Sequence, residues 1–229
     1  ELGPLAPTLA ALATQLPADM DRIAKLEATR RDFVANVTHE LRTPLAAILA
    51  CLETLEDVAL PPSSREKFLD QAARHAARLS SLVDSLLTLA ELEQRDAGPP
   101  PTEEADLLGV SREIAHTLAS RAEERGVTIA IGDFDPTPVV GDPAQLEQIG
   151  ENLVDNAIKY AAEGRSVELW SEAVDGRVVW SIADRGPGID PAHRDRVFER
   201  FYRVDKGRSR DHGGAGLGLA IVKHLVDRQ

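Results

Sequence analysis

The 229-residue sequence holds a single cysteine, Cys51, so a disulfide-stapled fold is excluded and a reducing compartment suits the chain. Aromatic residues make up only 4%, which leaves the core to aliphatic side chains and favours helices. There is no excess of positive charge. The net charge of −12 argues against a nucleic-acid or anionic-membrane surface. No uninterrupted apolar run approaches the roughly 20 residues of a membrane span. The longest uncharged stretch, Leu2 to Ala18, is broken by Pro4, Pro7 and Pro17 and lacks the basic start of a signal peptide. A GxxxxGK[ST] loop is also missing, which excludes a Walker-type phosphate site. What remains, 43% hydrophobic and 28% charged residues, is the composition of a soluble globular chain long enough for two small domains.

The most informative stretch is Phe33-Val34-Ala35-Asn36-Val37-Thr38-His39-Glu40-Leu41-Arg42-Thr43-Pro44-Leu45. Ile23, Leu26, Arg30, Phe33 and Val37 step three, four, three and four, a coiled-coil seam, and Leu45, Ile48, Leu52 and Leu55 resume it. The steps of four between Phe33 and Leu45 are a phase slip. His39 lies roughly 200° round the helix from Val37, so it is expected to face water. Thr43 shares its face one turn on. Pro44 removes a backbone donor just beyond and should loosen the helix.

The pattern predicts a first helix from Asp19 to Asp57, capped by Asp19, and a second beginning at Ser63 or Ser64. Leu69, Ala72, Ala76, Leu79, Val83, Leu86 and Ala90 form the second seam. Two long helices with a short connection make an antiparallel hairpin. Its apolar faces exceed what one hairpin can bury, which predicts a symmetric homodimer closing a four-helix bundle. Arg95 to Thr102, with three consecutive prolines, reads as a linker. The domains are therefore a linker remnant over 1–18, a helical domain over 19–94, the linker over 95–102, and a second domain over 103–229.

That second domain mixes helices and strands. A helix is expected over Asp106 to Glu124, strands over Val127–Ile131, Val139–Val140, Val167–Ala173 and Arg177–Ala183, and helices from Pro143 and from Gly216–Leu219. Asp175-Gly176 marks a hairpin turn. The fold class is α+β, helices on a mixed sheet. On the helix from Pro143, Leu146, Ile149, Leu153, Ala157 and Tyr160 form the apolar face, and Gln148, Asn152, Asn156 and Lys159 run along its rim. Asparagine oxygens suit Mg²⁺, and Lys159 suits phosphate. Asp184-Arg185-Gly186-Pro187-Gly188 lets backbone approach a flat ligand whose amine Asp184 can meet. Gly213-Gly214-Ala215-Gly216-Leu217-Gly218 opens a helix and suits phosphates.

The first stretch resembles the H box of two-component sensor histidine kinases, and the three later ones, in order, resemble the N, G1 and G2 boxes of their ATP-binding domain. Val197-Phe198-Glu199-Arg200-Phe201-Tyr202-Arg203 resembles the F box. The resemblance covers Ala24 to the end. It implies a fold shared with DNA gyrase and chaperone ATPases, with ATP and Mg²⁺ as ligands. His39 would be the phosphoacceptor, Glu40 the base beside it, and Thr43 the orienter of a water attacking the phospho-regulator. Asn152 and Asn156 would face Mg²⁺ and phosphates, Lys159 and Tyr160 would line the nucleotide, Asp184 would read the adenine amine, and Arg203 would reach the phosphate tail. Gly186, Gly188, Gly214, Gly216, Leu217 and Gly218 would complete the nucleotide site, and Asp190 to Gly213, with its Lys206–Arg210 run, the ATP lid. The partners implied are a second copy, a response regulator receiver domain and an upstream sensor or membrane region, with no nucleic acid. The expected setting is the cytoplasmic side of an inner-membrane-anchored protein. Three departures stand out. Ala215 replaces a usual hydroxyl, Gly150 sits mid-helix at a cost of about 1 kcal/mol, and the usual C-terminal strand pair is expected to be missing. Two rival functions stay open, an ATPase of the gyrase type and a nucleotide-binding dimeric scaffold without kinase activity. His75, His116, His193, His212 and His224 show no metal-ligand spacing.

Overall fold

The computed structural model describes residues 5–94, 102–161, 166–204 and 214–228, leaving aside the side chains of 5–15, 18, 25, 26, 93 and 94. The chain divides into two compact units, Glu1–Leu79 and Ser80–Gln229, each described here by itself.

In the first unit, helix α1 spans Leu5–Leu55. It begins well before Asp19, so Asp19 is not its cap and residues 5–18 continue the helix. Pro7 falls in the first turn, where a missing N–H costs nothing, and Pro17 lies inside the helix. Helix α2 spans Pro62–Gln94 and crosses into the second unit. It starts at Pro62 rather than at a serine cap. Proline presets the first helical φ, and the amides of Ser64 and Arg65 both donate to the Pro61 carbonyl at 3.0 Å. The turn is fastened by Arg65, whose guanidinium donates to the carbonyls of Leu55 and Asp57 at 3.2 Å each. A second tie, Arg78 to Glu40, joins the two helices of the hairpin.

The helical seams divide more finely than their periodicity suggests. Pro44 and Cys51 of α1 are buried, as are Leu82 and Leu89 of α2, each one position before the expected Leu45, Leu52, Val83 and Ala90. Leu45, Leu49, Leu52, Leu69, Val83 and Leu87 stay 40–58% exposed in a single chain.

The second unit is built on a three-stranded sheet in the order β2-β4-β5. Strand β2 (Thr128–Ile131) pairs parallel with β4 (Ser166–Val174), and β4 pairs antiparallel with β5 (Arg177–Ala183). Asp175 and Gly176 both have positive φ, 50° and 76°, as a tight hairpin turn requires. A two-residue pair, β1 (Glu104–Ala105) with β3 (Val139–Val140), stands apart from that sheet; β1 carried no readable pattern.

The helix expected over Asp106 to Glu124 is broken into α3 (Leu107–Thr117) and α4 (Ala119–Glu123). Leu118 leaves helical geometry at φ −94° and ψ 2°, yet the i→i−4 bonds on both sides persist. The break is a kink that leaves Leu118 and Ala122 in the core. Helix α5 (Pro143–Tyr160) is capped by Asp142, whose carboxylate accepts from the amides of Ala144 and Gln145. It packs on α3 and on α7 (Gly218–Val226), and the short α6 (Pro191–Arg194) lies between β5 and the F box. The core joins Ile114, Leu118, Val154, Ile158, Val167 and Leu169. The buried face of α5 is Ile149, Gly150, Val154, Ala157 and Ile158, one step round from the expected face, so Leu153 is only half-buried and Tyr160 is 44% exposed.

Gly150 has a packing reason. A Cβ there would lie 2.3 Å from Ile114 Cδ1 and 2.6 Å from the Trp180 ring. The indole of β5 uses the space that an aliphatic side chain would fill, and that contact offsets the poor helix propensity.

Candidate active site

On α1, Val37 and Leu41 turn inward and are half-buried, which leaves His39 on the outer face with 68% of its side chain exposed. The imidazole Nδ1 is 3.6 Å from Glu40 Oε1, and the other carboxylate oxygen, Oε2, is 3.6 Å from Arg78 Nη2 of α2. Both distances are ion-pair contacts just beyond hydrogen-bond length. Glu40 is thus bracketed between the imidazole and a guanidinium. Thr43 donates its hydroxyl to the His39 carbonyl at 3.1 Å, while Pro44 can offer no amide to Glu40. The hydroxyl has a backbone role in the loosened turn, and its oxygen lone pairs stay available as acceptors.

In the second unit, α5 carries Gln148, Asn152, Asn156 and Lys159, all half-buried. The strip meets both glycine loops. Asn152 Oδ1 lies 2.9 Å from the place a Cβ on Gly218 would take. Lys159 Nζ lies 3.9 Å from that place on Gly214. The Tyr160 carbonyl and Asp184 Oδ1 each lie 2.7 Å from it on Gly186. A side chain at 186 would collide with the Tyr160 backbone, so glycine is required there by close approach, whereas at 218 the amide of Asn152 would have to shift. Asp184 Oδ1 also accepts from the Gly186 amide at 2.7 Å, a local turn that presents the carboxylate at the exposed end of β5. Gly188 turns at φ +73°.

The F box is anchored at both ends of its aromatic pair. Phe201 holds φ 61°, a left-handed conformation that costs about 1–2 kcal/mol for a side-chain-bearing residue. Its amide donates to the Gly216 carbonyl at 2.8 Å, and Gly216, itself at φ +74°, packs against the Phe201 and Tyr202 backbone. Tyr202 OH lies 2.6 Å from His193 Nδ1, and Arg196 stacks 4.3 Å from its ring centre. Arg203 is half-buried, with Nε and Nη2 shielded from solvent. Leu217 is 1% exposed, so its side chain serves the core. Residues 205–213, part of the expected lid and including the Lys206–Arg210 run, lie outside the described residues.

The oxygen-donor chemistry for Mg²⁺ fits these side chains. Asn152 Nδ2 donates to the Gln148 carbonyl at 2.8 Å, which turns Oδ1 toward the glycine loop. Among the described residues no three carboxylate, histidine or cysteine side chains gather as a metal site.

Four contributors escaped the sequence reading. Arg78 reaches Glu40 from α2. Asp155 holds Lys159, an i,i+4 pairing that the sequence does display, and Arg121 reaches Asp155 from α4. Glu151, one turn before Asp155, has its carboxyl pushed up by burial first and by the neighbouring Glu147 and Asp155 charges second.

Two family models match the chain: the His Kinase A phospho-acceptor domain over residues 29–95, and the histidine kinase-, DNA gyrase B- and HSP90-like ATPase over residues 141–229. The chain is 37% identical over 208 residues to the sensor-like histidine kinase SenX3 of Mycolicibacterium smegmatis, covering 91% of this chain and 54% of SenX3. It is 32% identical over 210 residues to the sensor histidine kinase YcbM of Bacillus subtilis, covering 90% of this chain and 67% of YcbM. Among solved structures, histidine kinase AdeS of Acinetobacter baumannii is similar with a TM-score of 0.65 at 28% identity, covering 83% of this chain and 86% of that one. Full-length ShkA in complex with AMPPNP is similar with a TM-score of 0.59 at 35% identity, covering 86% of this chain and 41% of that one. The chain spans about half the length of SenX3. Among the described residues no helix is long and apolar enough to cross a membrane.

Proposed function

The chain belongs to the two-component sensor histidine kinases, and from that membership we propose that it phosphorylates itself on His39 from ATP and passes the phosphoryl group to an aspartate of a response regulator. The observation that carries the reading is the exposed imidazole facing a carboxylate, His39 Nδ1 to Glu40 Oε1 at 3.6 Å. Glu40 favours the tautomer with its proton on Nδ1, which leaves the Nε2 lone pair free to attack. The Nε2–P bond forms as the bond from the γ-phosphorus to the ADP oxygen breaks. The ring then carries positive charge, and Glu40 stabilises it or accepts the Nδ1 proton.

In the same reading, Asp184 meets the adenine amine, Gly186 and Gly188 let the base lie close to the backbone, and Tyr160 lines the nucleotide. Lys159, Arg203 and the backbone at Gly214, Gly216, Leu217 and Gly218 take the phosphates, and most of the catalysis is positioning and charge neutralisation. Asn152 and Asn156 would hold Mg²⁺, whose contribution is to neutralise charge on the phosphates. ShkA's complex with AMPPNP supports an adenine nucleotide as the ligand. In this reading residues 19–94 form the phosphoacceptor domain and residues 103–229 the ATP-binding domain; the matched family models, over 29–95 and 141–229, support that order. The exposed leucines of the hairpin pair with a second copy, which closes a four-helix bundle. Thr43 gives the protein a phosphatase activity toward the phospho-regulator by orienting a water.

Incubation with γ-labelled ATP and Mg²⁺ tests the proposal. Acid-labile, base-stable label on the protein is expected. Free phosphate alone would make the chain an ATPase, and neither product would make it a scaffold.

A further inference from the structure

Asp155 of α5 stands between two cations from different helices. Its Oδ2 lies 2.5 Å from Lys159 Nζ one turn on, and its Oδ1 lies 2.5 Å from Arg121 Nη1 of α4. Asp155 and Lys159 are each 19% exposed, and Arg121 is 53% exposed. The ammonium already sits at the glycine loop, 3.9 Å from where a Cβ on Gly214 would be.

We propose that Asp155 and Arg121 are positioning residues for the nucleotide phosphates: Asp155 holds Lys159 beside the loop, and Arg121 keeps Asp155 charge-paired when Lys159 turns to the phosphate. The inference rests on the reading of Lys159 as a phosphate ligand. Lysine suits the move because its ammonium is a compact charge on a flexible stem, whereas a guanidinium stays charged and fixed in its fork. Without Arg121, the departure of Lys159 would strand a largely buried carboxylate, the costly half of breaking such a pair. The stranded charge would also face Glu151 one turn away, where the Asp155 charge already raises the carboxyl's proton affinity. Arg121 therefore lowers the cost of giving the lysine to a ligand. It does so only for ligands that carry phosphates.

Calorimetric titration of the 229-residue chain with ATP and Mg²⁺, and separately with adenosine, tests this. Arg121→Gln is expected to weaken ATP about twofold to fivefold, the range of a partly exposed charge pair, and to leave adenosine unchanged. Arg121→Lys should restore the ATP affinity. In an Asp155→Asn background Arg121→Gln should have no further effect. ATP affinity unchanged in Arg121→Gln, an equal loss for adenosine, or an undiminished effect in the Asp155→Asn background would each overturn the proposal. The underlying reading fails separately. Wild type that binds no ATP, or Lys159→Ala that binds it as wild type does, would remove the phosphate-binding lysine and this inference with it.

Discussion

Glu40 and Asp155 are two carboxylates of nearly equal exposure, 23% and 19%, and each is shared between two nitrogen bases. They differ in distance. Glu40 stands 3.6 Å from both His39 and Arg78, outside hydrogen bonding, while Asp155 stands 2.5 Å from both Arg121 and Lys159. A carboxylate that must follow an imidazole through a change of charge is better held by Coulomb attraction alone, which falls off gently with small movements. A carboxylate that must keep a lysine at a loop is better held by short charge-assisted bonds. Burial is nearly equal in both places, so separation is what distinguishes the two carboxylates.

The largest effect expected is at the first of these. His39→Gln should abolish the label from γ-labelled ATP while calorimetry finds ATP binding unchanged. Label persisting on the variant would move the acceptor elsewhere and end the comparison at its base. Next, Arg78→Gln should slow autophosphorylation about tenfold with KM for ATP unchanged, a part of the roughly hundredfold or more that a positioned acid–base group supplies. Arg78→Lys should recover much of the rate. Equal rates in all three proteins would show that Glu40 needs no second partner.

Thr43→Ala should leave phosphotransfer near wild type and slow decay of purified phospho-regulator by about tenfold, the order of one lost orienting hydrogen bond. Equal decay with Ala and with wild type would reduce Thr43 to its bond with the His39 carbonyl. Fit, not charge, is probed by Gly150→Ala. Its Cβ must displace Ile114 or Trp180, an overpacking of about 1–3 kcal/mol against a helix-propensity gain of about 1. A net fall in melting temperature of roughly 2–5 °C is expected; a rise would mean that the indole moves aside freely. The smallest effect is at Glu151. Its folded-state carboxyl is raised, so the stability it contributes is present when protonated, below the ordinary glutamate range, and is lost as pH rises through the raised value. Glu151→Gln should therefore raise the melting temperature at pH 7 by about 1 °C, with the gain shrinking as pH falls. A gain that grows toward low pH would reverse the sign.

Much of this was legible in the residues because the informative signals are local. The phase of Val37 against His39 settles which way the imidazole points, and Asp175-Gly176 announces its turn. The glycine positions at 186 and 218 are legible as loops, though the groups that crowd them, the Tyr160 carbonyl and the Asn152 amide, come from another segment. What escaped is set by distant partners. Trp180 explains Gly150 from thirty positions away. Arg121 meets Asp155 across 34 positions. The start of α1 at Leu5 was hidden by Pro7 and Pro17, since a proline inside a helical pattern usually marks a boundary. The buried stripe lies one residue earlier than the heptad phase places it, at Cys51 rather than Leu52, because the phase alone does not say which side chains meet the facing helix.

The tie made by Arg65 bears on the order in which the chain folds. It joins residues ten positions apart, to Leu55, and eight apart, to Asp57. The last turn of α1 has no basic residue of its own, so this guanidinium supplies the positive charge that the helix terminus favours. So short a loop closes at little entropic cost, whereas the parallel pairing of β2 with β4 must bring Thr128 to Ser166 across an intervening helix. Loop-closure entropy therefore favours early formation of the hairpin turn and late formation of the parallel ladder, so the helix bearing His39 is expected to acquire its end before the three-stranded sheet assembles.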